Sequence, residues 1–210
     1  MKKKIPQIQQ GFTLIEMLVS VAIFTIMTTY LVVKYGTFNQ GILLTNTAYD
    51  IALTMRQAQN YGINTQQSQT GDFSQGFGVS FSTLNPVGVT PQNPVGTTVI
   101  PNNKSFVFFP DISNLGDLKY SNTSGEGAVR TLYILRRGVK VTGLCAGASD
   151  TTCNTATELH VGFKRPNPAA IISTESSTNY AYARISLTSE DGSMTRDITV
   201  RRFGQISVGK

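Results

Sequence analysis

With 210 residues, 40% of them hydrophobic, and with 19 glycines and 8 prolines, the chain has material for one modest ordered domain plus an extended element, and disorder is excluded as its default state. The formal charge of +6 includes Lys2, Lys3 and Lys4, so a body lacking them is only slightly basic, and the charge alone is no argument for nucleic acid.

From Phe12 to Val33 the sequence FTLIEMLVSVAIFTIMTTYLVV runs for 22 residues with one ionisable group, Glu16. As a helix it is long enough to cross a bilayer core, and it is expected to be membrane-inserted. The basic run Lys2 to Lys4 ahead of it would hold that end in the cytoplasm and send the rest of the chain outward. A secretory signal peptide also pairs a basic start with an apolar stretch. Here the run is long for that role, no small-x-small cleavage site follows it closely, and a carboxylate sits near its beginning. A plain signal anchor stays open.

Glu16 is the informative residue, because a carboxylate inside hydrocarbon costs on the order of a few kcal/mol and needs a partner. No basic residue lies within a helical turn of it. The nearest cation would be a free amine created by cutting the chain before Phe12, either its own or that of an adjacent subunit, and assembly would then neutralise the charge.

The run Gly11-Phe12-Thr13-Leu14-Ile15-Glu16, preceded by a short basic leader and followed by a long apolar helix, resembles the processing site of type IV prepilins and type II secretion pseudopilins. The resemblance implies that a membrane peptidase cuts after Gly11 on the cytoplasmic face and methylates Phe12, the new N-terminus. It also implies that Glu16 sets the register of subunits within a filament. One departure is visible: many major pilins carry a proline late in the apolar helix, and none stands between Phe12 and Tyr61. Gly36 and Gly41 are the candidates to loosen this helix, each costing about 1 kcal/mol relative to alanine.

Beyond the apolar run, Leu44, Ala48, Ile51, Met55, Ala58 and Gly62 recur at spacings of four and three, which places them on one helix face, with Asn46, Asp50, Gln57 and Asn60 opposite. The second half of the helix is therefore expected to leave the membrane and lie against a globular head. The organisation expected is a leader over 1–11, a helix over 12–63 with a membrane half (12–33) and an amphipathic half (34–63), and a head over 64–210.

After Gly62 the period changes to alternation, in Phe77-Val79-Phe81, Leu132-Ile134, Leu159-Val161-Phe163, Ala183-Ile185-Leu187 and Ile198-Val200. The head is thus expected to be mainly antiparallel β-sheet and the whole chain α+β. Asp191-Gly192 signals a hairpin between the last two runs, since that pair tolerates positive φ. The stretch Thr83 to Asn103, with four prolines and no charge, is expected as a long surface loop, either a contact surface or a tolerated insertion.

Two segments, ALTMRQAQNYGI from Ala52 to Ile63 and RDITVRRFGQISV from Arg196 to Val208, resemble the FimT and GspH group of minor pilins and pseudopilins. That resemblance implies a long helix carrying a head of β-sheets, at or near a filament tip.

The two cysteines, Cys145 and Cys153, lie close together among small polar residues, where a loop disulfide is geometrically easy and would imply an oxidising compartment; two unpaired thiols are the alternative. No second cysteine pair or histidine cluster completes a metal site. The one histidine, His160, sits in an alternating run and is expected to face outward. No Walker-type, HExxH or GxSxG motif occurs, so no residue is assigned a catalytic, cofactor or metal role and the chain is not expected to be an enzyme. Clustered cations, Arg196, Arg201, Arg202 and Lys210 with Arg136, Arg137 and Lys140, could neutralise phosphates. Some FimT-like minor pilins are associated with DNA capture through a basic C-terminal region, which makes Arg201 and Arg202 the candidate DNA contacts.

These observations converge on a filament subunit with three kinds of partner: other pilin or pseudopilin subunits, a prepilin peptidase, and the membrane. Its expected place is the cytoplasmic membrane, N-terminus inside and head outside, and then a periplasmic or extracellular filament. A DNA-binding or adhesive module displayed by such a filament is one alternative. An exported enzyme or receptor domain that uses the helix only as an anchor is another. Pilus, secretion and competence filaments share this helix, so the residues leave all three open.

Overall fold

A computed structural model describes residues 11–64, 75–83, 102–112, 117–120 and 131–209. The basic leader, most of the proline-rich stretch and Lys210 lie outside the described residues.

Helix α1 runs from Leu14 to Ile63, 50 residues without a break at Gly36 or Gly41. Its start is fixed by Thr13, whose Oγ1 accepts the Glu16 amide at 3.3 Å and whose carbonyl accepts that of Met17 at 3.2 Å. Thr-x-x-Glu is a capping-box spacing, and an acid in the first turn also suits the positive end of the helix dipole.

The chain divides into two compact units, one ending at Asn39 and one from Gln40 to Lys210. The described residues of the first are all exposed, and the helix there reaches a mean hydropathy of 1.9 over 18 residues, enough by length and composition to cross a membrane. Four of its hydroxyls are satisfied within the helix. Ser20, Thr25, Thr28 and Thr29 each donate to the carbonyl four residues earlier, at 2.7 to 2.8 Å.

In the second unit, Leu44, Ala48, Ile51, Met55 and Ala58 are fully buried, while Asn46, Asp50, Gln57 and Asn60 face solvent, as their spacing predicts. Among the described residues the head has ten strands: β1 (Phe77–Ser82), β2 (Ser105–Pro110), β3 (Thr131–Ile134), β4 (Lys140–Gly147), β5 (Cys153–Ala156), β6 (Glu158–Lys164), β7 (Asn167–Thr174), β8 (Tyr182–Thr188), β9 (Thr195–Arg201) and β10 (Ile206–Gly209). They form two antiparallel five-stranded sheets, ordered β3-β2-β1-β6-β7 and β10-β9-β8-β4-β5. One apolar core joins α1 to both sheets, through Val79, Phe81, Leu159, Val161 and Phe163 of the first and Ile185, Leu187, Ile198 and Val200 of the second. The architecture is α+β.

Gly62 closes the helix against β6, where a Cβ would run into the carbonyl oxygen of Phe163. The expected β8–β9 hairpin forms, with Thr188 opposite Thr195 and Gly192 at φ +74° in the connection. Asp191 organises that connection by accepting bonds from Ser189 Oγ and from the Ser193 amide and hydroxyl.

Two expectations are corrected. In β3 it is Tyr133 that packs on the core, stacked on Phe106 at 5.0 Å, while Ile134 is 56% exposed. The strand's inward set is thus offset by one residue from the aliphatic alternation, because the ring offers more apolar surface to the Phe106 and Phe81 stack. His160 is not solvent-facing either. It is 4% exposed, since the 117–120 segment covers that part of the sheet: Leu118 is fully buried, and the Tyr120 amide donates to His160 Nδ1 at 3.4 Å.

Candidate functional site

The first residues to place are those around the Gly11–Phe12 bond. Gly11, Phe12 and Thr13 precede the helix in non-helical backbone, and all three are exposed. A Cβ added at Gly11 would meet nothing within 4 Å among the described residues, so their packing does not demand glycine there. Phe12 is 85% exposed, and Leu14, Ile15, Met17 and Leu18 beyond it are exposed as well. Glu16 lies in the first helical turn, and no ion pair to it forms among the described residues. The local arrangement is thus an accessible peptide bond, a capped helix start, and one carboxylate a turn along from the bond. Sequence reasoning missed the Thr13 cap, although the Thr-x-x-Glu spacing signals it.

In the head, Cys145 and Cys153 form a disulfide with Cα atoms 5.6 Å apart, tying β4 to β5. It closes the loop 148–152, where the Ser149 amide and hydroxyl both meet Thr152 Oγ1, at 3.0 and 2.9 Å.

Among the described residues the basic side chains of the head have separate surroundings. Arg136 approaches Asp50 at 4.0 Å, and Arg196 Nε donates to Thr45 Oγ1 at 3.4 Å. Arg201 and Arg202 are exposed on the β9–β10 turn, whose Gly204 carbonyl accepts from Gln59 at 3.3 Å, well along the helix from Thr45. Arg201 shares a cleft with Asp150, Tyr182 and Phe203, a grouping with no sequence signal because its members come from separate segments.

The shifted ionisable groups have structural causes. Burial is the main one for His160, lowered to about 4, with Lys119 acting in the same direction. Glu158 is raised by its own burial and by the nearby carboxylate of Glu175. Glu175 is held below the usual range, against its own desolvation, by bonds from the Thr157 amide and hydroxyl and the Glu158 amide. Among the described residues no group of three His, Cys, Asp or Glu side chains is placed to hold a metal ion.

Residues 7–32 match the family model for the prokaryotic N-terminal methylation motif. No curated protein and no solved structure matches the chain.

Proposed function

From the premise that the chain is prepilin-like, carrying the methylation motif on an apolar N-terminal helix, we propose that it is a minor pilin or pseudopilin. Its role is structural, in a type IV pilus or a type II secretion-like filament, and not catalytic. The prepilin peptidase cuts between Gly11 and Phe12 and methylates Phe12, and Glu16 then faces the new amino terminus of a neighbouring subunit. Before assembly the helix holds the chain in the cytoplasmic membrane with the head outside.

The observation that carries this reading is the first unit itself: an exposed helix, apolar enough over 18 residues to cross a membrane, with a single carboxylate one turn from an accessible peptide bond. Such a surface needs lipid or other subunits to cover it. Gly11 supports the same reading, because nothing among the described residues requires a glycine there, whereas an external peptidase would.

The narrower assignment to the FimT and GspH group rests on two segments that touch in the folded head. Arg56 donates to the Ile206 carbonyl at 3.2 Å and Gln59 to that of Gly204 at 3.3 Å.

The test is the mass and N-terminal chemistry of the protein recovered from its native membrane, with and without the prepilin peptidase. A methylated Phe12 terminus that depends on the peptidase is expected. An intact Met1 terminus, or a cut beyond the apolar run, would overturn the reading in favour of an anchored or secreted domain.

A further inference from the structure

Phe203 is 90% exposed, yet the turn that carries it is held in place. The Gly204 amide donates to the Arg201 carbonyl at 2.8 Å, and the Arg201 amide to that of Gln205 at 2.9 Å. On the flanks, the Arg202 amide donates to the Ala181 carbonyl at 2.9 Å, and the Ala170 amide to that of Arg202 at 2.8 Å. A lone exposed aromatic is unremarkable. This one forms, with Arg201, one wall of a cleft of about 290 Å³, opposite the loop 148–151 and above Ala181 and Tyr182.

The other groups of the cleft are equally fixed. Asp150 Oδ1 accepts from the Tyr182 hydroxyl and from Arg184 Nη1, both at 2.9 Å. Tyr182 is itself buried, and its hydroxyl is pushed up to about 12, chiefly by that burial and by Asp150, so it remains a donor at any physiological pH. Asp150 Oδ2 makes no hydrogen bond among the described residues, and the side chain is 62% exposed. The loop bearing it is closed by the Cys145–Cys153 disulfide and cross-linked by the Ser149, Thr151 and Thr152 hydroxyls. Arg184 is paired with Asp150, whereas Arg201 forms no ion pair among the described residues.

The cleft therefore offers an apolar ring face and a guanidinium, both carried on a turn whose backbone is held, beside an anchored carboxylate with one oxygen free to accept among the described residues. We infer that it binds a carboxylated sugar residue of a polysaccharide. The C–H face of the sugar ring lies on Phe203, its hydroxyls donate to Asp150 Oδ2, and its carboxylate is taken by the Arg201 fork. The cleft, of about 290 Å³, has room for one pyranose ring, and the held backbone of the turn and the closed loop bearing Asp150 lower the entropic cost of binding. A phosphodiester chain fits less well, because the Asp150 carboxylate repels it where sugar hydroxyls would be attracted.

The test titrates the full chain in detergent micelles with a tetragalacturonate and a hyaluronan tetrasaccharide as acidic probes, chitotetraose as a neutral one, and the single-stranded DNA dT12. At least one acidic probe is expected to bind about tenfold or more tightly than chitotetraose. Phe203→Ala and Asp150→Asn should each weaken that binding about tenfold, and Arg201→Gln should remove the preference for acidic over neutral sugar. Phe203→Ala should leave the melting temperature unchanged, which separates lost binding from lost folding. Failure of both acidic probes, or binding indifferent to Phe203→Ala, would overturn the inference. So would dT12 binding that strengthens in Asp150→Asn while the sugars stay unbound, an outcome that would make the site a nucleic-acid contact.

Discussion

Thr13 Oγ1 accepts the amide hydrogen of Glu16, so the residue that starts the helix also fixes the turn bearing the one acid of the apolar run. Loss of an N-cap hydroxyl costs about 1 kcal/mol, and serine replaces it well. Thr13→Ala should therefore speed amide exchange in the first turn, Leu14 to Met17, by about fivefold in micelles. Thr13→Ser should not.

Glu16→Ala removes the carboxylate while raising the hydrophobicity of the segment. The proposed subunit should insert into membranes as well as before or better, since the few-kcal/mol cost of the charge disappears, but should be lost from filaments. Membrane fractionation beside a filament-incorporation assay reads the two effects separately. Unchanged incorporation would favour an anchored domain.

Gly62 and Gly36 make opposite demands. At Gly62 an added methyl group meets the Phe163 backbone, which cannot swing away, so Gly62→Ala should destabilise the head by about 1 to 3 kcal/mol despite alanine's better helix propensity. Gly36 has open space, and Gly36→Ala should stiffen the helix by up to about 1 kcal/mol. Denaturant unfolding of the head and amide exchange along α1 measure the pair.

His160 gives the head a predicted acid sensitivity. Its pKa is lowered from 6.5 to about 4 by burial, so the unfolded chain binds this proton more readily than the folded one. The stability it contributes is fully present above about pH 6.5 and is lost as pH falls through about 4, a total of about 3 kcal/mol. Glu158, raised from 4.5, acts in the opposite sense, favouring the folded state at low pH and losing that contribution as pH rises. His160→Gln keeps an acceptor near the Tyr120 amide without titrating. It should flatten the stability profile between pH 6.5 and 4, as read by denaturant midpoints across that range.

Reducing the Cys145–Cys153 bond, which closes a separation of eight residues, should cost about 2 to 3 kcal/mol in the chain-entropy account. Melting temperatures with and without reductant provide the measurement. The effect should be matched by Cys153→Ser and absent when that variant is itself reduced.

How far the sequence could be read depended on whether one element or several decided a residue's environment. The inward face of α1 from Leu44 to Gly62 was legible because a 3.6-residue period needs only one partner surface. The same holds for Leu159-Val161-Phe163 and Ala183-Ile185-Leu187, each alternating toward one core. In β2 the run Phe106 to Phe109 hides its period, because Phe106 and Phe108 join the core while Phe109 is buried against Tyr120. In β4 the register slips between Val141 and Gly143, which breaks the alternation. The burial of His160 depends on a cover some forty residues away, at Leu118 and Tyr120. The cleft was illegible for a related reason: Asp150, Tyr182 and Phe203 meet only through sheet pairing and a loop closure. At the N-terminus, by contrast, the informative residues are neighbours in the chain, and the motif could be read directly.

The hydroxyls of Ser20, Thr25, Thr28 and Thr29 donate back to their own helix, so none of them depends on a surrounding molecule for a partner. The helix can thus exchange a sheath of acyl chains for a sheath of protein without rearranging these bonds. On the proposed reading, subunits waiting in the bilayer and those in a growing fibre would keep these four bonds alike, so that only Glu16 would change its partner when the helix passes from one surrounding to the other.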